Sequence, residues 1–411
     1  MKRIPTVLVV SGARPNFPKV APVIRALRAL PRAVRPRVVT VHTGQHYDYR
    51  MSQVFFEHLG MPRPDYFLGA GSGSHAAQTA AVMEGFEKVL FREKPDLVVV
   101  AGDVNSTLAG ALDAVKLGIP VAHIEAGLRS RDRAMPEEVN RIVTDHLSDL
   151  LFTHCREAGE NLINEGIARS KIFFTGNVMI DSLLAGLDAA RRRPLLERLG
   201  LKRGGGVKPY ALVTLHRPSN VDDETTFAGI VSALAEIAKE LPVLYPAHPR
   251  ARANIEQFNL RSAFTKFGHG SIARPGAELT ASGKWEIGPN GLYLTAPLGY
   301  LDFIKAEMHA ACVFTDSGGV QEETSFLGVP CFTIRVNTER PITITQGSNR
   351  LAGTTRAAIL KAWRAFRKDR DLTAVPARRR LARSRPPKWD GRAANRIAGI
   401  IARALRQYGK P

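Results

Sequence analysis

Apolar runs of four to six residues recur along this chain, each followed by a longer segment whose apolar positions repeat at helical spacing. A run that short, bounded by turn residues, is a strand buried on both faces. Such strands belong to parallel sheets, whose crossover helices cover both sides. Residues 6–10, 37–42, 97–101, 121–124, 150–153 and 171–175 are the predicted strands of a first sheet. Residues 17–30, 76–91, 107–116 and 137–148 are the helices between them, the first presenting Val20, Val23, Ile24 and Leu27 on one face. The plan then restarts, with strands at 210–215, 243–246, 312–315 and 331–334 and helices at 225–240, 301–310 and 320–327. A chain of 411 residues exceeds one ordinary core and suits two domains of about 200 residues. The expected boundary falls near residues 177–190, giving domains 1–180 and 181–390. Residues 391–411 carry Ile397, Ile400, Ile401 and Leu405 at amphipathic-helix spacing. Two stretches stand apart: Gly204-Gly205-Gly206 within 202–208 reads as a mobile connector, and 267–291, around Trp285, as a surface excursion.

The net charge of +20 raises the question of a nucleic-acid partner. From Thr355 onward there are 17 Lys/Arg against 3 Asp/Glu, a net +14, which leaves +6 for the rest. The excess centres on Arg378, Arg379, Arg380, Arg383 and Arg385, with no aromatic interleaving and no nucleic-acid module, so it reads as a solvated basic face and linker. The apolar runs are far shorter than the ~20 residues that span a bilayer. The N-terminus passes from Val7–Val10 straight to polar Ser11 and Arg14, a first strand and not a signal peptide. Cys155, Cys312 and Cys331 are too scattered for a disulfide framework, which points to a reducing, cytoplasmic setting. No metal-ligand spacing is present, since Thr43-Gly44 interrupt the only close histidine pair, His42 and His46.

Ligands of open α/β sheets bind beyond the carboxyl ends of the strands. After the first strand come Gly12, Arg14 and, inside the next helix, Lys19; the glycine admits a ligand and the cations suit phosphate. Gly102-Asp103 follows the strand at 97–101, where Asp103 can also serve as a helix cap. Glu125 leaves the strand at 121–124, and Pro136-Glu137-Glu138 opens a helix, where acids are ordinary first-turn charges. Carboxylates at adjacent strand ends nevertheless form a candidate acid/base group. In the second half His216-Arg217 ends a strand, and Thr315-Asp316-Ser317-Gly318-Gly319 runs from a strand into a helix. Free N–H groups at such a helix start make a diphosphate site. Glu323, one turn in, is placed to hold ribose hydroxyls, and Arg335 and Arg340 follow the next strand. The pattern is neither a dinucleotide fingerprint nor a Walker loop.

Together these runs resemble the non-hydrolysing UDP-N-acetylglucosamine 2-epimerase family. The matching stretches include Gly12-Ala13-Arg14-Pro15 with Lys19, Thr43-Gly44-Gln45-His46, His123 to Arg129, Pro136 to Arg141, Thr175-Gly176-Asn177 with Asp181, Leu215-His216-Arg217, Thr315 to Glu323 and Thr338 to Pro341. They order the chain from about residue 5 to 354. The resemblance implies two Rossmann-like domains of glycosyltransferase-B-like architecture, an active site in the interdomain cleft and a last helix that crosses back onto the first domain; because the reaction's intermediate must not escape, closure over the ligand is expected. It implies a UDP-sugar substrate, no cofactor, no metal, no nucleic acid, no membrane insertion, a homodimer, and a place in cell-surface polysaccharide biosynthesis. Carried over residue by residue, it assigns proton handling to Asp103, Glu125 and Glu137, and stabilisation of the departing diphosphate to His216, Arg14, Lys19 and Arg340. Ser317, Gly318 and Gly319 would bind phosphate, Glu323 the ribose, and Phe303 would pack near the uracil. The implied reaction eliminates UDP to a 2-acetamidoglucal and adds it back. The chain departs from the family at Tyr47-Asp48-Tyr49, at Ser72 to His75 and at Pro218-Ser219, where the family draws a regulatory second UDP-sugar site. The stretch 71–79 is more like relatives acting on a diacetamido uronic acid sugar. A hydrolysing epimerase, releasing UDP and N-acetylmannosamine, shares the same residues.

Overall fold

The computed structural model describes residues 3–12, 16–44, 59–61, 63–203, 206–265, 286–368 and 385–408. The chain forms two compact units, Met1–Ala185 with Pro386–Pro411, and Gly186–Arg385.

In the first unit the strands β1 (Thr6–Ser11), β2 (Arg37–His42), β3 (Tyr66–Phe67), β4 (Leu97–Ala101), β5 (Val121–Ile124), β6 (Leu150–Thr153) and β7 (Ile172–Phe174) make one seven-stranded sheet in the order β3-β2-β1-β4-β5-β6-β7. Every pairing is parallel. The unit's helices include α1 (Phe17–Arg28), α2 (His75–Glu93), α3 (Asn105–Lys116), α4 (Pro136–Leu147), α5 (Arg156–Asn164) and α6 (Val178–Arg191), the last running on into the second unit.

Strand periodicity of two explains the two-layered core. Val7 and Val9 of β1, with Leu97 and Val99 of β4, pack against Val20, Val23 and Leu27 of α1. Their neighbours Leu8, Val10, Val98 and Val100 face the other way, against Phe86, Val89 and Ala111 of α2 and α3. The C-terminal helix Ala393–Tyr408 completes the first layer, placing Ile397, Ala398, Ile401 and Leu405 in the cluster of α1. Asp181 holds its start, accepting from the amides of Ala393 and Ala394 at 3.3 and 2.9 Å. Buried Trp389 donates to the His154 carbonyl at 3.1 Å.

The second unit repeats the design with β8 (Ala211–Thr214), β9 (Val243–Pro246), β10 (Leu292–Thr295), β11 (Cys312–Thr315), β12 (Cys331–Thr333) and β13 (Asn349–Leu351), parallel in the order β10-β9-β8-β11-β12-β13. Its helices include α7 (Glu224–Ile237), α8 (Pro249–Gln257), α9 (Tyr300–His309), α10 (Gly318–Leu327) and α11 (Arg356–Lys368). Val213, Phe314, Phe332 and Trp363 fill one face of the sheet, and Leu212, Leu244, Val313 and Val329 the other.

The stretch expected to be a mobile connector pairs Lys202–Arg203 with Gly206–Val207 as a short antiparallel ladder. Trp285 and most of the expected excursion lie outside the described residues, as do Arg378, Arg379, Arg380 and Arg383. The basic segment also contains α11, whose Ile359, Leu360, Trp363 and Phe366 are buried beneath a charged outer face. Arg385 lies over the Phe326 ring, 4.2 Å from its centroid.

Candidate functional site

In the first unit, candidate groups gather at the carboxyl ends of β1, β4 and β5. Gly102 closes β4 with φ +71°, and a Cβ there would lie 2.8 Å from Lys19 Nζ. Glycine therefore gives the lysine its place. Asp103 follows, its side chain about one-fifth exposed, with Oδ2 accepting from Arg141 Nη2 at 2.5 Å. Glu125 leaves β5 in a left-handed conformation, φ +70°, which a residue with a Cβ takes only when its surroundings hold it there. The amides of Glu125 and Ala126 both donate to Phe152 O at 3.1 Å, and Lys19 Nζ lies 2.9 Å from the carboxylate. Lys19 and Glu125 are both buried, so the pair is a buried salt bridge. Gly12 is also required by packing, because a Cβ there would fall 2.2 Å from Ser106 Oγ.

The two glutamates that open α4 have different surroundings. Glu137 is exposed on the first turn. Glu138 is buried and accepts from the Ser130 amide and hydroxyl, both at 2.9 Å, and from the Arg131 amide at 2.8 Å. Burial acts to raise its pKa, but these donors and the Arg141 guanidinium outweigh it and hold the carboxyl below its ordinary value. Arg141, itself buried, thus joins Glu138 to Asp103. Arg14 lies outside the described residues.

In the second unit the centre is Asp316, which is fully buried at the end of β11. It accepts from the amides of His216 and Arg217 at 3.1 and 3.0 Å and from Asn220 Nδ2 at 3.1 Å, and it lies 3.1 Å from His216 Nδ1. Burial pushes Asp316 up, but His216 and these donors outweigh that and keep it below the usual carboxylate range. The His216 side chain is 42% exposed, and with Nδ1 turned to Asp316 the other nitrogen, Nε2, is directed away from it.

Ser317 then starts α10, whose first turn carries no acidic residue and no side-chain cap. That leaves the N–H groups of the helix start to an anion. A Cβ on Gly318 would lie 2.2 Å from Arg340 Nη1, so the glycine lets the guanidinium lie against the turn. Arg340 is pinned by Glu322 at 2.8 Å and Glu339 at 2.5 Å. Glu339 also takes Arg335 at 2.7 Å and Arg217 at 3.2 Å, collecting three guanidinium groups beside the helix start. Glu323 is buried; burial raises its pKa to about 8, with Tyr300, 3.3 Å away, lowering it and Glu322 raising it. Phe303, on the same helix as Tyr300, is half-buried against the Leu195–Tyr293 side of the core.

The structure thus brings Asp103, Glu125 and Lys19 together in one unit, and His216, Ser317, Gly318, Gly319 and Arg340 in the other, with Glu323 further along α10. Arg141, Asp316, Arg217 and Glu339 stand within the stretches named from the sequence but received no role there. An acid standing directly before Ser-Gly-Gly at a strand end was the available signal for Asp316; Arg141 and Arg217 reach Asp103 and Glu339 across 38 and 122 positions and leave no local mark, whereas Glu339 has Arg335 and Arg340 only four and one residues away.

Two parallel sheets, each with its charged groups at the carboxyl ends of its strands, define a doubly wound α/β protein with two Rossmann-like units, one carrying a carboxylate group and the other an anion-binding helix start. The sequence pattern of the UDP-N-acetylglucosamine 2-epimerase family matches residues 28–402, and the chain belongs to that family. It is 42% identical over 357 residues to a UDP-N-acetylglucosamine 2-epimerase homolog of Methanococcus maripaludis, covering 86% of this chain and 90% of that protein. It is also 42% identical over 361 residues to the UDP-2,3-diacetamido-2,3-dideoxy-D-glucuronate 2-epimerase of Pseudomonas aeruginosa, covering 87% and 91%. The crystal structure of the Methanocaldococcus jannaschii UDP-GlcNAc 2-epimerase, in complex with UDP-GlcNAc and UDP, matches with TM-score 0.81 and 37% identity over 97% of this chain and 99% of that one. The fold is of the glycosyltransferase-B type found in these epimerases.

Proposed function

We propose that this chain is a non-hydrolysing UDP-N-acetylglucosamine 2-epimerase, interconverting UDP-N-acetylglucosamine and UDP-N-acetylmannosamine. The observation that carries the reading is the pair of carboxylates at the ends of adjacent strands, Asp103 on Arg141 and Glu125 on Lys19, each with its own cation. The hydrogen on C2 of the sugar is not next to a carbonyl, so its loss needs a leaving group on the neighbouring carbon. One carboxylate takes the C2 proton while the C1–O bond breaks, leaving a C1=C2 double bond in 2-acetamidoglucal and the electron pair on UDP. A proton returned to C2 from the other face, with UDP oxygen attacking C1, gives the epimer. Proton loss and return on opposite faces require acid/base groups on both sides of C2. Asp103 and Glu125 fill those roles, with Glu137 as the third acid. His216, Arg14, Lys19 and Arg340 stabilise the diphosphate as it leaves. Ser317, Gly318 and Gly319 bind phosphate through the α10 start, Glu323 holds the ribose and Phe303 packs near the uracil. The acting form is a cytoplasmic homodimer serving cell-surface polysaccharide synthesis.

The test is incubation with UDP-N-acetylglucosamine in D2O followed by NMR. Deuterium at C2 in a product of mannosamine configuration, with the UDP still attached, supports the proposal; free UDP with N-acetylmannosamine replaces it with the hydrolysing reaction. The Pseudomonas relative, as similar as the methanogen one, favours one second reading, the same chemistry on a UDP-diacetamido uronic acid sugar. That substrate, offered in parallel, decides between them by kcat/KM.

A further inference from the structure

Behind Asp103 and Glu125 lies a second charged network that the reaction scheme does not use. His123, third residue of β5, has no exposed surface. Its Nδ1 lies 2.7 Å from Asp145 Oδ1 and its Nε2 lies 2.7 Å from the Gly102 carbonyl. Carboxylate and carbonyl oxygens only accept, so both ring nitrogens donate. Asp145, on α4 and equally buried, takes two further donors on Oδ2: the Gly127 amide at 3.0 Å and Arg129 Nη1 at 2.7 Å. Arg129 forks onto Glu165 at 2.7 and 2.6 Å. Burial works to raise the Asp145 pKa, while His123 and Arg129 hold it below its ordinary value. Every charge in the network has an opposite neighbour, which a buried ion set requires.

Two of the backbone groups the network grips lie beside the reactive carboxylates. The Gly102 carbonyl belongs to the peptide that leads into Asp103, and Gly127 is two residues past Glu125. Both turns sit in left-handed backbone, with φ +71° at Gly102, +70° at Glu125 and +80° at Gly127. The second turn has no slack, since a Cβ on Gly127 would lie 2.2 Å from the Ala158 carbonyl oxygen. A histidine buried in mid-strand is placed to make hydrogen bonds that an apolar residue there could not. What it adds is a rigid bridge from one turn to a carboxylate that holds the other.

We propose that His123 and Asp145 are positioning residues: a buried hydrogen-bonded pair that ties the Gly102–Asp103 peptide to the Glu125–Gly127 turn and so fixes the spacing of the two proton-handling carboxylates. The inference rests on the reading of Asp103 and Glu125 as the acid/base groups. Misplacing a reacting group by about 1 Å costs about 100-fold in rate, while a substrate grip made largely elsewhere is untouched.

The experiment has two arms. In wild-type protein labelled with 15N-histidine, both ring N–H protons of His123 are observed, assigned by their loss in His123→Asn; the Nδ1 proton moves in Asp145→Asn. This arm needs no turnover, so it stands even if the proposed reaction fails. A His123 ring with a single N–H overturns the bridge. In the second arm, His123→Asn and Asp145→Asn are assayed with UDP-N-acetylglucosamine once wild-type turnover is established. The expected result is a fall in kcat of about 100-fold, with KM and UDP affinity within about threefold. A folded variant with kcat near wild type overturns the proposal. So does a parallel loss of kcat and UDP affinity, which marks general loosening. If Asp145→Asn does not fold, His123→Asn decides, because it leaves Asp145 paired with Arg129 and Gly127.

Discussion

Replacing Gly318 with alanine puts a methyl group 2.2 Å from Arg340 Nη1 and 2.4 Å from its Cζ. Ordinary contact begins at 3.4 Å, so the guanidinium must retreat by 1.2 Å. It cannot do so freely, because Nε is bonded to Glu322 at 2.8 Å and Nη1 to Glu339 at 2.5 Å. A retreat of that size breaks one of the two bonds, and a charge-assisted bond is worth about 1.5–3 kcal/mol. Alanine's helix propensity returns at most about 1 kcal/mol. The net expectation is a loss of about 0.5–2 kcal/mol in urea unfolding. The effect on UDP is larger, since the methyl covers the helix start and the cation beside it has moved. Affinity by calorimetry should fall about 30-fold, close to 2 kcal/mol. Gly229, inside α7, is the control: the nearest atom to its added Cβ is 3.9 Å away, so Gly229→Ala should stabilise the chain by up to about 1 kcal/mol. If Gly318→Ala unfolds at the wild-type midpoint and binds UDP within twofold, the account of Arg340 packed on the turn is wrong.

Asp103→Asn should lower turnover by about 1,000-fold or more with UDP affinity nearly unchanged, and near-normal turnover in that variant removes Asp103 from its role. Glu323 is raised to about 8 and Glu307, fully buried with neither carboxyl oxygen bonded among the described residues, is raised well above its ordinary value, burial being the main cause in both. Both groups hold a proton more tightly folded than unfolded, so their contribution is complete below the unfolded carboxyl range; that of Glu323 is lost as pH rises through about 8, and that of Glu307 as pH rises through its own raised value. The urea midpoint should therefore drop between pH 6 and 9, with a shallower drop in Glu307→Gln; identical slopes in the two proteins would count against this. Ile401→Ala removes a fully buried side chain from the layer shared with α1 and should cost about 2–5 kcal/mol, read by urea unfolding; a loss under about 0.5 kcal/mol means the helix is not part of that core.

Six strands stand where the sequence places them to the residue: Arg37–His42, Leu97–Ala101, Val121–Ile124, Leu150–Thr153, Val243–Pro246 and Cys312–Thr315. A parallel strand buried on both faces is an unbroken apolar run, and its ends show as the first polar or turn residue. Tyr66–Phe67 and Asn349–Leu351 escaped because they are edge strands of two and three residues, too short to stand out, and Leu292–Thr295, also at an edge, follows directly on the stretch 267–291 taken as a surface excursion. Helix α11 was hidden by its charge: Arg356, Lys361, Arg364, Arg367 and Lys368 dominate the composition, while the apolar stripe beneath them is only four residues. In the site, the residue types at strand ends were legible, because strand ends are where a doubly wound sheet presents chemistry. Their partners were not. Arg141 reaches Asp103 across 38 positions, Asp145 reaches His123 across 22, and Asp316 reaches His216 across 100. Only the folded chain states such pairings.

The first unit is made from both ends of the chain, with residues 186–385 inserted between its two parts. A ribosome therefore delivers seven strands of that sheet long before it delivers the helix that covers them. At about 5–20 residues per second, the remaining 226 residues, 186–411, take roughly 10–45 s to emerge. Throughout that interval the α1 side of the sheet lacks Ile397, Ile401 and Leu405. The inserted unit is free to mature first, while the amino-terminal part waits with an uncovered oily surface. Nascent chains should therefore depend on chaperone shelter in this window, and a stop codon just before Ala393 should be far more damaging than the small fraction of sequence it removes suggests.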